Sequence, residues 1–289
     1  MSTRKGTIQV NGAGESTMMR VMSRDGTEIA YWTSGEGPPL VLVHGTTADH
    51  TRWRPLLPYL EPHATVHAMD RRGRGASGDA PDYDVAREFE DVAAVVDAVA
   101  EASGSAVDVL GHSFGGLCAF RGATLTSNIR RLVLYEGWPP PNPELLAFPP
   151  GVGERLDALL AEGNREAALE TFVREVVRMP EEDFATYRAL PAWQARIAAA
   201  HTITRESRAE QAAPFDPEQA ANITVPTLML VGGDSPDEIK ADPETVAAAL
   251  PDARIVVIVV IDGQQHIAID LVPEVFAEHV VAFLRDQPT

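Results

Sequence analysis

The sequence predicts an α/β fold in which helices cover both faces of a mostly parallel sheet. Along the 289 residues, short apolar segments typical of buried strands alternate with segments whose apolar residues recur at helical spacing. Strands that alternate with helices form parallel sheets, and a parallel sheet needs helices on both faces. Between about residues 138 and 214 the strands stop and helical patterns alone remain. This break predicts a helical insertion into one core domain.

The predicted strands are short and apolar, and each is closed by polar residues or glycine. The first two, Met18–Ser23 and Glu28–Thr33, flank Asp25-Gly26, a dipeptide typical of hairpin turns. The remaining predicted strands cover residues 39–43, 65–69, 106–110, 131–135, 225–231 and 254–261.

Helical periodicity follows several of these strands. From Val85 the apolar residues recur at helical spacing as far as Val99, and a second helix is predicted from about Phe114 to Leu125. Residues 243–250 and 276–284 predict two more helices. Within the insertion, residues 154–210 are typical of several amphipathic helices.

Proline content and composition mark the domain boundaries. Six of the 22 prolines lie between residues 139 and 150, which excludes regular structure there and predicts a stiff connector. Residues 1–17 are small and polar and predict a flexible tail. We therefore expect a core domain of residues 18–137 and 215–289, and a helical cap of residues 138–214.

The chain is strongly acidic, with 24 Lys and Arg residues against 42 Asp and Glu, a formal net charge of −18. Nucleic acids and anionic membranes bind through clustered cations, so this charge argues against both as partners. A single cysteine, Cys118, excludes an internal disulfide. No apolar run is long enough to cross a bilayer, and the first residues contain no hydrophobic signal segment. We expect a cytoplasmic protein that acts on a small molecule and can form homo-oligomers.

The strongest chemical signal is a Gly-x-Ser-x-Gly motif at residues 111–115, with Ser113 at its centre. A predicted strand precedes the motif and a predicted helix follows it, which is the context of a nucleophile elbow that exposes the serine hydroxyl. Gly111 and Gly115 are needed because side chains would collide across so tight a bend. The N-terminal end of the following helix favours negative charge beside the serine. Ser113 is therefore the candidate nucleophile.

Together with this elbow, two further segments resemble those of the α/β-hydrolase family, and the resemblance covers nearly the whole chain from about residue 20. His-Gly-Thr-Thr at residues 44–47 resembles the family's oxyanion loop, and residues 70–77 resemble its Asp-x-x-Gly-x-Gly-x-Ser segment. The resemblance implies the α/β-hydrolase fold with a helical cap. It also implies that the backbone N–H groups of Thr46 and Phe114 form an oxyanion hole for a tetrahedral intermediate.

The base that activates a serine near neutral pH is expected to be a histidine. The family's order along the chain is nucleophile, acid, histidine, and the histidine lies in the loop after the last strand. Of the eight histidines, His266 lies in such a loop, at residues 262–266. The resemblance therefore implies that His266 is the base.

The sequence leaves open which acid orients this histidine. Most of the family places the acid after the strand that here ends at Val231, but Ser235 occupies that position and Asp234 lies one residue earlier. A minority of the family, including some haloalkane dehalogenases and the zearalenone-type lactonases, places it at the end of the preceding strand, where Glu136 stands. We favour Glu136 because the strand fixes its position, and we retain Asp234 and Asp237 as alternatives.

The expected reaction is hydrolysis of a carboxylic ester or lactone through an acyl-enzyme intermediate. A serine at the elbow excludes the carboxylate nucleophiles of epoxide hydrolases and dehalogenases, and the sequence motifs suggest neither a metal nor a cofactor. Trp138, Tyr187 and Trp193 are candidate substrate contacts and favour an apolar substrate. The same triad would also serve a C–C bond hydrolase or a cofactor-free haloperoxidase. A non-catalytic ligand-binding protein is the alternative of another class.

Overall fold

A nine-stranded sheet organises the residues that the structure, a computed structural model, describes: 6–7, 16–251 and 256–285. Its strands are β1 (Gly6–Thr7), β2 (Thr17–Met22), β3 (Glu28–Ser34), β4 (Pro39–Val43), β5 (Thr65–Met69), β6 (Val107–His112), β7 (Ile129–Tyr135), β8 (Thr227–Gly232) and β9 (Val256–Ile261). They lie in the order β1-β2-β3-β5-β4-β6-β7-β8-β9. The pairs β1–β2, β2–β3 and β3–β5 are antiparallel, and all other pairs are parallel. The predicted α/β class with a mostly parallel sheet is confirmed.

Most predicted strands differ from the observed ones only at their ends. The predictions for residues 39–43 and 65–69 coincide with β4 and β5. The predicted strand 106–110 stops too early, because His112 still pairs with Tyr135 of β7. Strand β6 therefore runs up to the residue before Ser113. Of the predicted strand 254–261, residues 254 and 255 lie outside the described residues.

Helices connect the parallel strands. They are α1 (Leu57–Leu60), α2 (Val85–Ser103), α3 (Phe114–Gly122), α4 (Val152–Ala161), α5 (Arg165–Thr171), α6 (Glu181–Ala189), α7 (Trp193–Ala199), α8 (Ile203–Gln211), α9 (Pro217–Ala220), α10 (Asp237–Ala247), α11 (Ala268–Leu271) and α12 (Pro273–Arg285). Shorter helical turns of other types lie at His50–Trp53, Pro143–Leu146, Phe172–Val176 and Ala200–Thr202. None of the described helices combines the length and apolarity that crossing a bilayer requires.

Local capping chemistry explains the bounds of helix α2 but does not predict the start of helix α10. Helix α2 begins where predicted, because the Asp84 side chain accepts a hydrogen bond from the Ala86 N–H, and it ends at Gly104, whose φ is 68°. Helix α10 begins at Asp237 and contains Pro243 in its interior. The predicted start at Pro243 was wrong, since proline is favoured in the first turn of a helix but is here accommodated later.

Apolar side chains pack on both faces of the sheet. In β4, Val41 and Val43 join the cluster that contains α2 and α3, whereas Leu40 and Leu42 join the cluster that contains α12. Successive residues of a strand point to opposite faces, so a strand covered on both sides is apolar throughout. Every residue of β4 is buried. This packing fixes the strand ends from which the polar loops emerge.

Helices α4 to α8 lie between β7 and β8 along the chain and form a third apolar cluster. Ile267, from the loop after β9, belongs to this cluster, so the insertion packs on the residue that follows His266. Part of the predicted cap packs elsewhere, because Trp138 belongs to the apolar cluster of the sheet.

Buried ion pairs also join the insertion to the core. Arg71, in the loop after β5, contacts Glu88 of α2 at 2.8 Å and Glu206 of α8 at 3.2 Å, and Arg74 also pairs with Glu206. Burial raises the pKa of the Glu206 carboxyl, but the two arginines outweigh it and hold that pKa at about 2. Glu206 therefore stays ionised.

The predicted tail, residues 1–17, lies largely outside the described residues. Within it, Gly6–Thr7 forms β1 and pairs with Met18 and Thr17 of β2. This two-residue strand was not predicted, since its small residues carry no strand pattern.

The buried hydroxyl of Tyr135 ties the last residue of β7 to the loop that carries His266. It donates to the backbone oxygen of Gln265 and accepts from the N–H of Ala268 at 3.0 Å. Replacing Tyr135 with Phe removes both contacts, so we expect the free energy of unfolding to fall by about 1–2 kcal/mol. Urea denaturation measures this change. Tyr59→Phe, at a position 36% exposed, is the control and should stay within about 0.5 kcal/mol of the parent. Equal losses in both variants would contradict the assignment.

Candidate active site

Ser113 stands at a sharp turn between β6 and α3. Its backbone has φ 55° and ψ −134°, in the region that disfavours residues with a side chain. The turn is held by hydrogen bonds from the Ser113 N–H to the Tyr135 oxygen at 2.9 Å and from the Gly116 N–H to the Ser113 oxygen at 2.7 Å. Strained backbone of this kind persists only where surrounding structure enforces it, and it is concentrated at functional sites.

Glycine lets the loop after β4 approach this turn closely. A Cβ added to Gly45 would lie 2.9 Å from the Cβ of Ser113, and one added to Gly115 would lie 2.3 Å from the backbone oxygens of Val43 and His44. A side chain at either position would therefore push the two segments apart. The loop and the start of α3 therefore meet at a distance that only glycine permits.

The two amides predicted to form an oxyanion hole lie beside this turn. Phe114 is the first residue of α3, so its N–H has no acceptor within the helix, and the helix end carries a partial positive charge. Thr46 lines the same cavity as Ser113.

His44 holds the loop that carries Thr46. It is fully buried, and its Nε2 accepts a hydrogen bond from the Arg71 N–H at 3.1 Å while its Nδ1 lies 2.9 Å from the oxygen of Gly45. Burial lowers the pKa of its imidazole well below the usual range, and the positive charges of Arg74 and Arg71 lower it further. A neutral His44 therefore donates from Nδ1 and accepts at Nε2.

The structure brings His266 and Glu136 together. His266 Nδ1 lies 2.8 Å from Glu136 Oε2, and the Glu136 side chain is 4% exposed. Glu136 Oε1 accepts two further hydrogen bonds, from the Gly232 N–H at 2.8 Å and from the Ser235 hydroxyl at 2.5 Å. With its two oxygens occupied, this carboxylate is fixed in one orientation.

These hydrogen bonds keep the buried Glu136 carboxylate ionised. Burial raises the pKa of the carboxyl, but the hydrogen bond and charge of His266, with the hydrogen bonds from Ser235 and Gly232, outweigh it. The net pKa lies below the usual value of 4.5. An ionised Glu136 at Nδ1 fixes the tautomer of His266 that leaves Nε2 free to accept a proton.

The alternative acids lie elsewhere. Asp234 is exposed, and its backbone N–H donates to the oxygen of Gln264 at 2.9 Å. Asp237 is 95% exposed and pairs with Lys240 at 2.9 Å. Ser235, which lies between these two aspartates, donates a hydrogen bond to Glu136.

Ser113 and His266 line one cavity, although no hydrogen bond joins the serine hydroxyl to the imidazole among the described residues. Catalytic hydrogen bonds are commonly long in ligand-free sites and shorten when substrate binds. The cavity is narrow: the centre of a water-sized sphere can reach about 50 Å³ of it. One part of its wall is apolar and contains Phe172, Val173, Val177, Met179 and Ile267.

The cavity contains only one of the three predicted substrate contacts. Tyr187 lines the cavity, and its contact with substrate stays a prediction. Trp138 instead packs in the core, with its Nε1 donating to Asp242, and Trp193 packs edge-to-face on Phe184 and Tyr187 inside the insertion. Neither tryptophan lines this cavity, because Trp138 fills the core of the sheet and Trp193 fills the core of the insertion.

Several polar residues of the site were not singled out as ligand contacts in the sequence. Arg52, from the turn after the oxyanion loop, and Arg196, from α7, line the cavity, and both are buried. The His112 ring lies 4.6 Å from that of His266, and its Nε2 is 3.0 Å from the His266 oxygen. Burial lowers the pKa of His112 well below the usual range, and the nearby His266 lowers it further, so His112 is neutral.

One cluster of potential metal ligands exists among the described residues, formed by Asp49, His50 and Asp70. Its central carboxylate is occupied by protein donors. Asp70 Oδ1 accepts from the N–H and from Nδ1 of His50, both at 2.8 Å, and Oδ2 accepts from the N–H of Ala76 at 2.8 Å. This arrangement holds the segment 70–77 in place.

Comparison with known proteins shows the family to which this chain belongs. The model of the alpha/beta hydrolase family matches residues 40–279. A crystal structure of an alpha/beta hydrolase from Sphaerobacter thermophilus DSM 20745 is 37% identical, has a TM-score of 0.78, and covers 92% of this chain and 99% of its own. The chain therefore belongs to the alpha/beta hydrolase family of enzymes.

Two curated relatives have named activities. The (E)-2-((N-methylformamido)methylene)succinate hydrolase of Acinetobacter baylyi is 24% identical over 260 residues, which are 89% of this chain and 94% of that protein. The pimeloyl-[acyl-carrier protein] methyl ester esterase of Photobacterium profundum is 34% identical over 114 residues, or 39% of this chain. In this match the chain spans 42% of the esterase's length.

The contact between Glu136 and His266 predicts unequal effects of two isosteric substitutions. Glu136→Gln removes the negative charge at Nδ1, so we expect kcat on a p-nitrophenyl ester to fall by about 10³ or more. Asp234→Asn is the matched control and should cost less than about tenfold. A larger loss of kcat in Asp234→Asn than in Glu136→Gln would show that the acid lies in the loop after β8. Comparable small losses would show that neither carboxylate alone orients the histidine.

Proposed function

We propose that this enzyme hydrolyses a carboxylic ester or lactone by serine catalysis through an acyl-enzyme intermediate. The observation that carries the proposal is the hydrogen bond of 2.8 Å between His266 Nδ1 and the buried Glu136, in a cavity that also exposes Ser113 at a strained turn. A nucleophile, a base and an orienting acid meet here in the roles that acyl transfer requires.

In the first half of the reaction, His266 Nε2 accepts the proton of the Ser113 hydroxyl as its oxygen attacks the carbonyl carbon. The resulting oxyanion accepts hydrogen bonds from the N–H groups of Thr46 and Phe114. His266 then donates its proton to the departing alkoxide, which leaves Ser113 acylated. Glu136 holds the Nδ1–H throughout and stabilises the imidazolium while it exists.

In the second half, His266 removes a proton from a water molecule that attacks the acyl-enzyme carbonyl. The same two amides stabilise the second oxyanion, and Ser113 regains its proton as the carboxylic acid departs. With a lactone, the departing alkoxide stays attached to the acyl group, and the product is a single hydroxy acid.

The relatives support hydrolysis in general more than any one substrate. Their names describe hydrolysis of a methyl ester in one case and of a methylene succinate derivative in the other. Helices α4 to α8 serve as the cap in this proposal, because Tyr187 of α6 and Arg196 of α7 line the cavity above the serine. The cap would therefore select the substrate. We propose the cytoplasm as the enzyme's location, in keeping with its one free, buried cysteine.

Ser113→Ala tests the nucleophile. We expect loss of ester hydrolysis to about one part in 10³ or less, because only the amides and substrate binding would remain. The parent enzyme should be labelled by a fluorophosphonate, and mass spectrometry should locate the adduct on Ser113. Unchanged far-UV circular dichroism serves as the folding control. Labelling at another residue, or retained hydrolysis in the variant, would contradict the proposal.

The pH profile tests the base. His266 must be neutral to accept a proton, so kcat/KM should fall as the pH is lowered through the range where histidines titrate. The lowered pKa of Glu136 keeps that carboxylate ionised over the same range, so one proton should control the fall. We expect a limb with a slope of one in a plot of log kcat/KM against pH. A flat profile between about pH 5 and 8 would contradict a histidine base.

A further inference from the structure

We propose that Arg196 and Arg52 form a subsite for a carboxylate of the substrate, separate from the carbonyl that reacts. The inference deepens the proposed function, because it names the chemical class of the ester or lactone: an acyl or alcohol part that is largely apolar and ends in one carboxylate. It stands on the geometry of two buried guanidinium groups in the wall of the cavity that contains Ser113.

Arg196 is the first element of this subsite. Its residue is 3% exposed, and its Nε and Nη2 have no hydrogen-bond partner among the described residues. Its guanidinium carbon lies 4.4 Å from the centre of the Tyr187 ring. Within the described part of the chain, no carboxylate forms an ion pair with Arg196.

Arg52, on the turn that follows Thr46, also lines the cavity. Its Nη1 lies 2.6 Å from Asp270 Oδ2, and both side chains are buried. Its Nη2 has no hydrogen-bond partner among the described residues. Asp270 therefore neutralises Arg52 and leaves one N–H-bearing nitrogen unused.

The resulting charge balance favours a singly charged anion. The ion pair of Arg52 with Asp270 is neutral, so the charge of Arg196 remains uncompensated in the cavity wall. Burial lowers the pKa of the Arg196 guanidinium, but arginine side chains stay protonated in proteins. Burying an unpaired charge is strongly unfavourable, and the contact with the Tyr187 ring offsets only part of that cost.

A carboxylate fits these donors better than other anions do. Planar guanidinium groups present N–H donors that match the two oxygens of a carboxylate, and such pairs are charge-assisted. One carboxylate also matches the single excess positive charge, whereas a phosphate monoester carries nearly two negative charges. The apolar wall at Val173, Val177 and Ile267 suits the methylene chain that would join this carboxylate to the reacting carbonyl.

The test uses substrate pairs that differ only in a terminal carboxylate. These are the mono-p-nitrophenyl esters of succinic, glutaric and adipic acid, each compared with the p-nitrophenyl ester of the monoacid of equal chain length. We expect kcat/KM to favour the carboxylate member by about tenfold or more for at least one chain length, as a charge-assisted hydrogen bond provides. A preference for the uncharged member at all three lengths would overturn the proposal.

Substitutions then assign the preference to the subsite. Arg196→Met keeps an apolar contact with Tyr187 but removes the charge, so it should lower kcat/KM for the carboxylate ester by about tenfold or more and abolish the preference. Arg196→Lys keeps a positive charge, so it should retain part of the preference that Arg196→Met loses. Arg54→Gln removes one charge at an exposed position two residues from Arg52, and it should leave the preference unchanged. A preference that survives Arg196→Met, or is lost equally in Arg54→Gln, would overturn the proposal.

A binding measurement separates this inference from the proposed function. In Ser113→Ala, adipate should raise the Tm and 1,6-hexanediol should not, whether or not Ser113 is the nucleophile. Arg196→Met should lose the adipate shift while its own Tm equals or exceeds that of the parent, since a buried unpaired charge has been removed. If Arg196→Met fails to fold, Arg196→Gln takes its place. An equal adipate shift with and without Arg196 would refute the subsite even if Ser113→Ala has confirmed serine catalysis.

Discussion

The hydrogen bond between His266 and Glu136 is the constraint on which the geometry of the site depends. It requires that the ends of three neighbouring strands stay in register. Strand β7 carries Glu136, β8 provides the Gly232 N–H that holds it, and the loop after β9 carries His266. Because β7, β8 and β9 are parallel, their carboxyl ends lie at one edge of the sheet, beside the turn that carries Ser113 after β6.

Glu136 is held at the end of β7 by hydrogen bonds from neighbouring residues. Glu136 has a φ of 40°, an unfavourable conformation for a residue with a side chain, and it is held there by the hydrogen bond of its N–H to Leu230 and by those of its carboxylate. Ser235, in the loop after β8, donates a hydrogen bond to Glu136. The hydroxyl of Ser235, from the loop after β8, thus helps to fix a carboxylate that follows β7.

The sequence predicted the parts of this structure that depend on local patterns. Apolar runs located β4 and β5, and the glycine spacing around Ser113 located the turn. Position along the chain singled out His266, but it left Glu136 and Asp234 as competing acids, because the choice depends on which loop reaches the imidazole. Local sequence patterns do not predict contacts between segments that lie far apart along the chain. Arg52 and Arg196 lie 144 residues apart along the chain and line one cavity only in the folded protein. An aromatic residue such as Trp193 has the same sequence pattern in a core as in a pocket.

The most direct test of this account is a crystal structure of the enzyme after reaction with a phosphonate ester, whose tetrahedral phosphorus mimics the acylation intermediate. The account predicts phosphorus bonded to Ser113 Oγ, the phosphonyl oxygen within hydrogen-bonding distance of the N–H groups of Thr46 and Phe114, and Glu136 still bonded to Nδ1 of His266. A structure in which Glu136 has turned away and Asp234 contacts His266 would contradict it.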